Sequence, residues 1–246
     1  MTLPPSASRT RGFLVAHRAG NDLSLLSEAT RLGARLIECD LRLFRGRIEV
    51  RHLKTVGPIP ILWDTWHLGN PFTRRLQLHE LLDAVGPLGA ELMLDLKGRD
   101  PRLSARVLEE LDRRAVRLPV TVCARSWKLL DAFEERDDIR TVCSVGTRYG
   151  LRRLLARRRE QRLGGVSIHA DLLDARTVAQ LRDTCEVVMT WPVNCADRAR
   201  TLLDWGVHGL ITDRADAIAH VVDGHAAEVT RAADAVQVPA RDEAAA

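Results

Sequence analysis

The sequence predicts an α/β chain: a closed (β/α)8 barrel of the TIM type, with a short hairpin extension after the second strand. Three observations predict it. Short aliphatic, β-rich runs recur along the 246 residues. Helix-period stretches separate them, the alternation that builds a parallel sheet. Eight such units fill roughly 210 residues, which suits a closed barrel better than an open doubly wound sheet.

The strand runs are FLVA (13–16), LIECDL (36–41), ELMLDLK (91–97), VTVCA (120–124), IRTVCSV (139–145), GVSIH (165–169), EVVMTW (186–191) and GLITD (209–213). Between them lie apolar-periodic segments such as SLLSEATRLGA, LHELLDAV, RLSARVLEELDRRA, SWKLLDAFEER and LLDARTVAQLRDT, and RADAIAHVVDG closes the series. RIEVRH (47–52) follows the second strand too closely to be a new unit. It reads as a hairpin return with Gly46 at its turn, bringing His52 back to the barrel mouth. Residues 1–11 read as a flexible leader, 12–224 as the barrel and 225–246 as an alanine-rich tail.

Composition narrows the class. The chain is 46% hydrophobic and 28% charged, with a net charge of +4, which fits a folded domain rather than a disordered chain. The mild positive charge permits anionic substrates but does not by itself argue for nucleic acid. Cys39, Cys123, Cys143 and Cys185 fall in or at the start of apolar runs, and no pair is spaced CxxC, so neither a disulfide framework nor a zinc site is expected. With no apolar stretch of signal-peptide or membrane-span length, a reduced, cytoplasmic setting is expected.

Four islands at strand ends carry the chemistry: His17-Arg18, Glu38-Cys39-Asp40, His52 and Asp95-Leu96-Lys97. Strand side chains alternate, so Glu38 and Asp40 share one face and Asp95 and Lys97 share another, with Ile37, Cys39, Leu41, Leu94 and Leu96 opposite. The apolar sets pack outward on helices and the charged sets point inward, where uncompensated charge is costly. Two imidazoles can move protons, three carboxylates can hold a hard cation, and two fixed positive charges can hold a phosphate. That set suits metal-assisted cleavage of a phosphodiester. The plain alternative for Glu38 and Asp40 is an inter-strand salt-bridge network with Arg18, Arg42 or Lys97.

These residues carry a resemblance. VAHRAG resembles the AHRG strand end of the glycerophosphodiester phosphodiesterase family, within the larger phosphatidylinositol-phospholipase-C-like barrel group. GARLIECDLRL, IEVRH and LMLDLKG resemble its next three motifs, and MTWPVN and LLDWGVHGLITDRADAI resemble its closing ones. The match spans about residues 12–220. The resemblance implies Glu38, Asp40 and Asp95 as ligands of one divalent cation, Mg2+ or Ca2+. It implies His17 and His52 as general acid and base, and Arg18, Lys97 and Trp191 as substrate and phosphate contacts. The implied reaction yields glycerol 3-phosphate and an alcohol from a small-molecule or lipid-derived diester.

NDLSLLSEA stands where the family has a PENT segment, KTVGPIPILWD replaces the usual continuation after His52, and Asp95 replaces a glutamate. The last change, with the compact spacing from His17 to His52, also resembles the sphingomyelinase-D-like branch. A lysophospholipase D acting through a cyclic phosphate is therefore the nearest alternative, and a non-catalytic binding barrel is the second. An apolar mouth would favour lipid; a small polar mouth would favour soluble diesters.

Trp63, Trp66 and His67 read as a loop packed over the rim. Asp213 and Arg214 read as a helix cap and salt bridge, and His79, His208, His220 and His225 receive no role. The Arg-rich stretch at 148–162 reads as a solvated helix face, with weak contact to an anionic surface as its functional alternative.

Overall fold

Eight parallel strands close on themselves in the computed structural model, which describes residues 11–56, 59–64, 67–69, 74–114, 117–157 and 163–236. In chain order the elements are β1 (Phe13–Ala16), α1 (Leu26–Arg31), β2 (Ala34–Phe44), β3 (Arg47–Val50), β4 (Lys54–Val56), β5 (Ile59–Asp64) and β6 (His67–Gly69). They continue with α2 (Leu78–Val85), β7 (Glu91–Leu96), α3 (Arg102–Asp112), β8 (Val120–Ala124), β9 (Ile139–Val145) and α4 (Arg148–Arg157). The last are β10 (Leu163–His169), α5 (Ala175–Arg182), β11 (Cys185–Trp191), α6 (Ala196–Asp204), β12 (Gly209–Thr212) and α7 (Ala215–Val236). The strand order is β1-β12-β11-β10-β9-β8-β7-β2, and β1 pairs again with β2 to close the ring. All eight barrel strands fall on the runs read from sequence.

The period-two alternation sorts the core into two layers. Outward residues Ile37, Cys39, Leu41, Leu92, Leu94 and Leu96 join the large cluster shared with the helices. Inward residues Val15, Leu36, Met93, Cys123, Val142, Met189 and Ile211 form a separate plug inside the barrel. That plug is the floor on which the C-terminal ends of the strands set their polar residues.

β2 overshoots the barrel and folds back as β3, pairing Leu41 with Val50 and Phe44 with Arg47. The turn is Arg45 (φ 48°) and Gly46 (φ 78°), both left-handed, as a two-residue primed turn requires. Arg51 N–H then donates to Asp40 O at 2.8 Å, which holds the start of the next segment against β2 and delivers His52 to the rim.

Three features differ from the sequence reading. The segment after His52 is not a plain loop: β4, β5 and β6 form a small antiparallel sheet. Trp63 is on its middle strand with Lys54 Nζ 5.2 Å from the ring centre. Trp66 lies outside the described residues. SWKLLDAFEER forms no α-helix but two single turns of 3-10 helix, Trp127–Leu129 and Asp131–Phe133. Trp127, Leu130 and Phe133 are all buried, and their three-residue spacing suits the 3-10 period. Ser104 Oγ also claims the Leu129 carbonyl at 2.7 Å.

Finally, α7 does not stop at Gly224, where the tail was expected to begin. Val221, Val222, His225 and Val229 are buried, and this stripe outweighs the ~1 kcal/mol that a mid-helix glycine costs. Residues 1–10 and 237–246 of the expected leader and tail lie outside the described residues.

Candidate active site

The turn after β1 sets the first half of the site. Arg18 takes a left-handed backbone (φ 55°), a conformation uncommon for a non-glycine residue and concentrated at functional sites. It turns the Arg18 amide inward to donate to Glu38 Oε2 at 2.6 Å. Gly20 lets the turn lie against β2: a Cβ there would stand 2.8 Å from Cys39 Cβ and 3.2 Å from Glu38 O. Asn21 then grips Asp40 in both directions. Its Nδ2 donates to Oδ2 at 2.7 Å, and its Oδ1 accepts from the Asp40 amide at 2.8 Å.

β2 and β7 bring the acids together. Glu38, Asp40 and Asp95 offer oxygens that all lie within 4.8 Å of one another. Asp40 is fully buried, with Lys97 Nζ 2.7 Å from its Oδ1 and Arg18 Nε 3.7 Å from its Oδ2. Lys97 also contacts Asp95 Oδ2. Asp95 Oδ1 is buried without a hydrogen-bond partner.

The electrostatics are uneven. Burial, then the charges of Asp40 and Asp95, push Glu38 well above the usual carboxylate range. Burial also raises Asp95, against the pull of Lys97. Burial would raise Asp40 too, but hydrogen bonding to His52 and the charge and hydrogen bonds of Lys97 and Asn21 hold it far below its ordinary value. Burial opposes the charge on Lys97, yet Asp95 and Asp40 raise its pKa.

Three converging carboxylates, one with an unpartnered buried oxygen, are a donor set that fits a hard divalent cation. Oxygen-only ligands suit hard cations better than zinc. The salt-bridge alternative is also present in part, because Lys97 and Arg18 both touch Asp40. It does not account for Asp95 Oδ1.

The two imidazoles stand on either side. The backbone of His17 is tied to β12 by its amide, which donates to Thr212 O at 2.9 Å. Its Nδ1 donates to Asp213 Oδ1 at 2.6 Å, leaving the lone pair on Nε2, which lies 4.0 Å from Glu38 Oε2. Burial lowers the pKa of His17 and outweighs the charge and hydrogen bond of Asp213, so the ring is neutral near pH 7. His52 accepts from Arg18 Nη2 at 3.1 Å through Nε2, so its proton sits on Nδ1, 3.4 Å from Asp40.

One cavity of about 110 Å³ gathers the residues read from sequence. His17, Arg18, Glu38, His52, Asp95, Lys97 and Trp191 all line it, and Asp40 lies behind them. Trp191 packs its ring at 83° to His169, with centres 4.9 Å apart. Cys123, in the lining, has its thiol pushed well up by burial and then by Asp95, so it is no nucleophile.

The second half of the barrel adds residues to which the sequence reading gave no part in the site. Asp213 does not pair with Arg214; Arg214 lies 3.3 Å from Asp216, and Asp213 holds His17. Asn194 supports it, accepting from Thr212 Oγ1 at 2.9 Å and from the Asp213 amide at 3.0 Å. Asp213 had one visible signal, its place just past the eighth strand. Arg125, Ser144 and Ser167 also line the cavity; their positions at strand ends were the only clue.

No protein-family model matches the chain, and neither does any curated protein. Solved structures do. A phosphodiesterase from Oleispira antarctica in complex with the product sn-glycerol-3-phosphate matches with a TM-score of 0.70 and 19% identity, covering 86% of this chain and 96% of that one. A glycerophosphodiester phosphodiesterase from Thermotoga maritima matches with a TM-score of 0.66 and 16% identity, covering 84% and 96%. Another from Parabacteroides distasonis matches with 0.65 and 15%, covering 92% and 99%. At these identities the likeness establishes a shared (β/α)8 barrel.

Proposed function

We propose that this chain, whose barrel is shared with glycerophosphodiester phosphodiesterases, hydrolyses glycerophosphodiesters to glycerol 3-phosphate and an alcohol. The observation that carries this reading is the convergence of Glu38, Asp40 and Asp95 within 4.8 Å in a pocket flanked by two histidines. These three would hold one divalent cation, Mg2+ or Ca2+. When bound, it would draw off negative charge that develops on the phosphoryl oxygens.

The chain's own residues supply the rest. His17, neutral and with Nε2 as acceptor, takes the proton from the attacking hydroxyl, which belongs either to water, giving glycerol 3-phosphate directly, or to the substrate's glycerol, giving a cyclic phosphate that water then opens to glycerol 3-phosphate. Asp213 at Nδ1 keeps that tautomer and steadies the imidazolium that forms. A phosphate oxygen is a stronger acceptor for Arg18 than an imidazole is. Substrate would therefore draw the guanidinium away from His52 Nε2. In its protonated form His52, held at Nδ1 by Asp40, would then donate its Nε2 proton to the leaving alkoxide. Lys97 keeps Asp40 ionised and presents its remaining N–H to the phosphate. Trp191 walls the pocket.

The pocket's small volume and charged lining favour a water-soluble diester over a lysolipid. The convergence of the acids favours catalysis over a binding-only barrel. The deciding experiment offers the purified chain a panel of glycerophosphodiesters and lysophospholipids, with and without EDTA, beside His17→Ala. Release of glycerol 3-phosphate that is lost in both cases is the expected result. Activity surviving both would overturn the mechanism, and inactivity on every substrate would favour the binding role.

A further inference from the structure

Arg125 lines the catalytic pocket and also a second cavity of about 550 Å³. Its lining holds Arg99, Arg125, Lys128, Arg153 and Arg157 against a single acid, Asp131. These cations come from three separate segments: the turn after β7, the turn after β8, and helix α4. The Arg-rich helix is therefore not only a solvated face, since two of its arginines complete a cavity that begins at the catalytic rim.

Elsewhere on the surface several arginines are paired with acids. Arg136 bonds Asp112 and Asp138, Arg113 bonds Glu110, and Arg102 bonds Asp100. In the cavity, only Arg157 has a carboxylate within ion-pair reach among the described residues, Glu134 at 3.6 Å. Two of the others are held by aromatic faces instead. Arg153 stands 4.8 Å over Trp127, and Arg125 stands 5.1 Å over Trp191. Trp127 is itself fixed, being buried and donating from Nε1 to Ser144 O at 3.1 Å. Cation–π contact positions a guanidinium without neutralising it. Like charges held together in this way repel one another, and an anion that bridges them removes the repulsion.

We propose that this cavity binds a second anionic group on the alcohol part of the substrate, a phosphate monoester, while the diester phosphorus lies among His17, His52 and the carboxylates. The proposal rests on the phosphodiesterase reading. Arg125, common to both cavities, joins the two anion sites. The larger cavity would make the chain selective for diesters whose leaving alcohol is itself phosphorylated, over neutral or cationic alcohols.

The test compares kcat/KM of the full chain on three glycerophosphodiesters: one with a phosphorylated alcohol, glycerophosphoglycerol, and glycerophosphocholine. The phosphorylated diester is expected to be favoured by about tenfold or more at low salt, and the preference should fade at about 1 M salt, where charges are screened within ~3 Å. The double variant Lys128→Glu and Arg153→Glu, in which both side chains are exposed and neither lines the catalytic pocket, should abolish the preference. Turnover of glycerophosphoglycerol should stay within about twofold, as for surface changes away from the chemistry.

Equal kcat/KM for the three diesters, or a preference that survives the double variant, overturns the proposal. Inorganic phosphate is titrated in parallel. If it binds as tightly as the phosphorylated diester and leaves glycerophosphoglycerol turnover unchanged, the cavity is a site for free anions and the substrate proposal falls. If no diester is hydrolysed, the phosphodiesterase reading fails separately. Calorimetric binding of the phosphorylated diester then decides the cavity: loss of binding in the double variant supports it, and unchanged binding overturns it.

Discussion

The first three barrel strands and the last five contribute to the site in different ways. β1, β2 and β7, with the turns after them, carry the groups proposed to act on a phosphodiester: His17, Glu38, Asp40, Asp95 and Lys97, with His52 on the return from the hairpin. β8 to β12 carry groups that hold and shape: Arg125, Trp191, Asn194 and Asp213. The first set is buried or half-buried, dense in charge and tightly cross-bonded. The second is more open, and Asp213, the partner of the half-buried His17, keeps half its side chain in solvent. Chemistry and positioning are thus divided along the chain as well as in space.

The sharpest way to break this division is to remove an imidazole. His17→Ala or His52→Ala should lower kcat/KM about 10³-fold, the scale of general acid–base catalysis, with the melting temperature nearly unchanged. A comparable loss from Trp191→Ala would erase the distinction. Next in size, EDTA should abolish turnover, and Mg2+ or Ca2+ should restore it. Glu38→Gln keeps an oxygen to accept the Arg18 amide but loses the charge. It should need at least ~10-fold more cation for half-activity.

Asp213→Asn tests the positioning half. The ring of His17 would lose the partner that sets its tautomer, and kcat should fall about 10²-fold. Asp213 also opposes the burial that lowers the pKa of His17. Activity needs the neutral ring, so it is present above that pKa and lost as pH falls through it. Without Asp213 the acid limb of the pH–rate profile should move to lower pH; a limb that stays put would mean another group sets it.

Much of this was readable from residues alone because charge inside an apolar strand is conspicuous. Glu38, Asp40, Asp95 and Lys97 interrupt runs that otherwise bury every side chain, and the two-residue alternation says which way they face. Asn21 and Asp213 were not readable in the same way. An asparagine in a turn and an aspartate just ahead of a helix are commonplace, and only the closed ring shows that these two reach back to Asp40 and His17. The 3-10 turns after β8 were hidden for a related reason, since three-residue and helical spacings coincide over so short a stretch.

Two smaller effects sharpen the contrast in stability. Gly20→Ala, on the side of the site that carries the chemistry, should cost about 1–3 kcal/mol by denaturant melting, because a Cβ would press on Cys39 and the Glu38 backbone. His208, beneath the positioning half, has its pKa lowered from 6.5 by burial and then by Arg182. Above that value the ring is neutral in both folded and unfolded chains. As pH drops below it, the unfolded chain takes up the proton first, so this group makes stability decline with falling pH. His208→Gln should flatten that part of the stability profile; an unchanged slope would point to His17 alone.

The bond between His17 and Asp213 joins residues separated by 196 positions, almost the whole barrel. Barrel closure through β1 and β12 therefore also brings His17, the proposed general base, to its carboxylate partner. During synthesis, the carboxylates and both imidazoles would emerge early, but the first histidine would have no partner until the final strand arrived. A contact of such long range forms late and slowly. The arrangement keeps a half-made chain silent: hydrolytic power would appear only when the ring is whole.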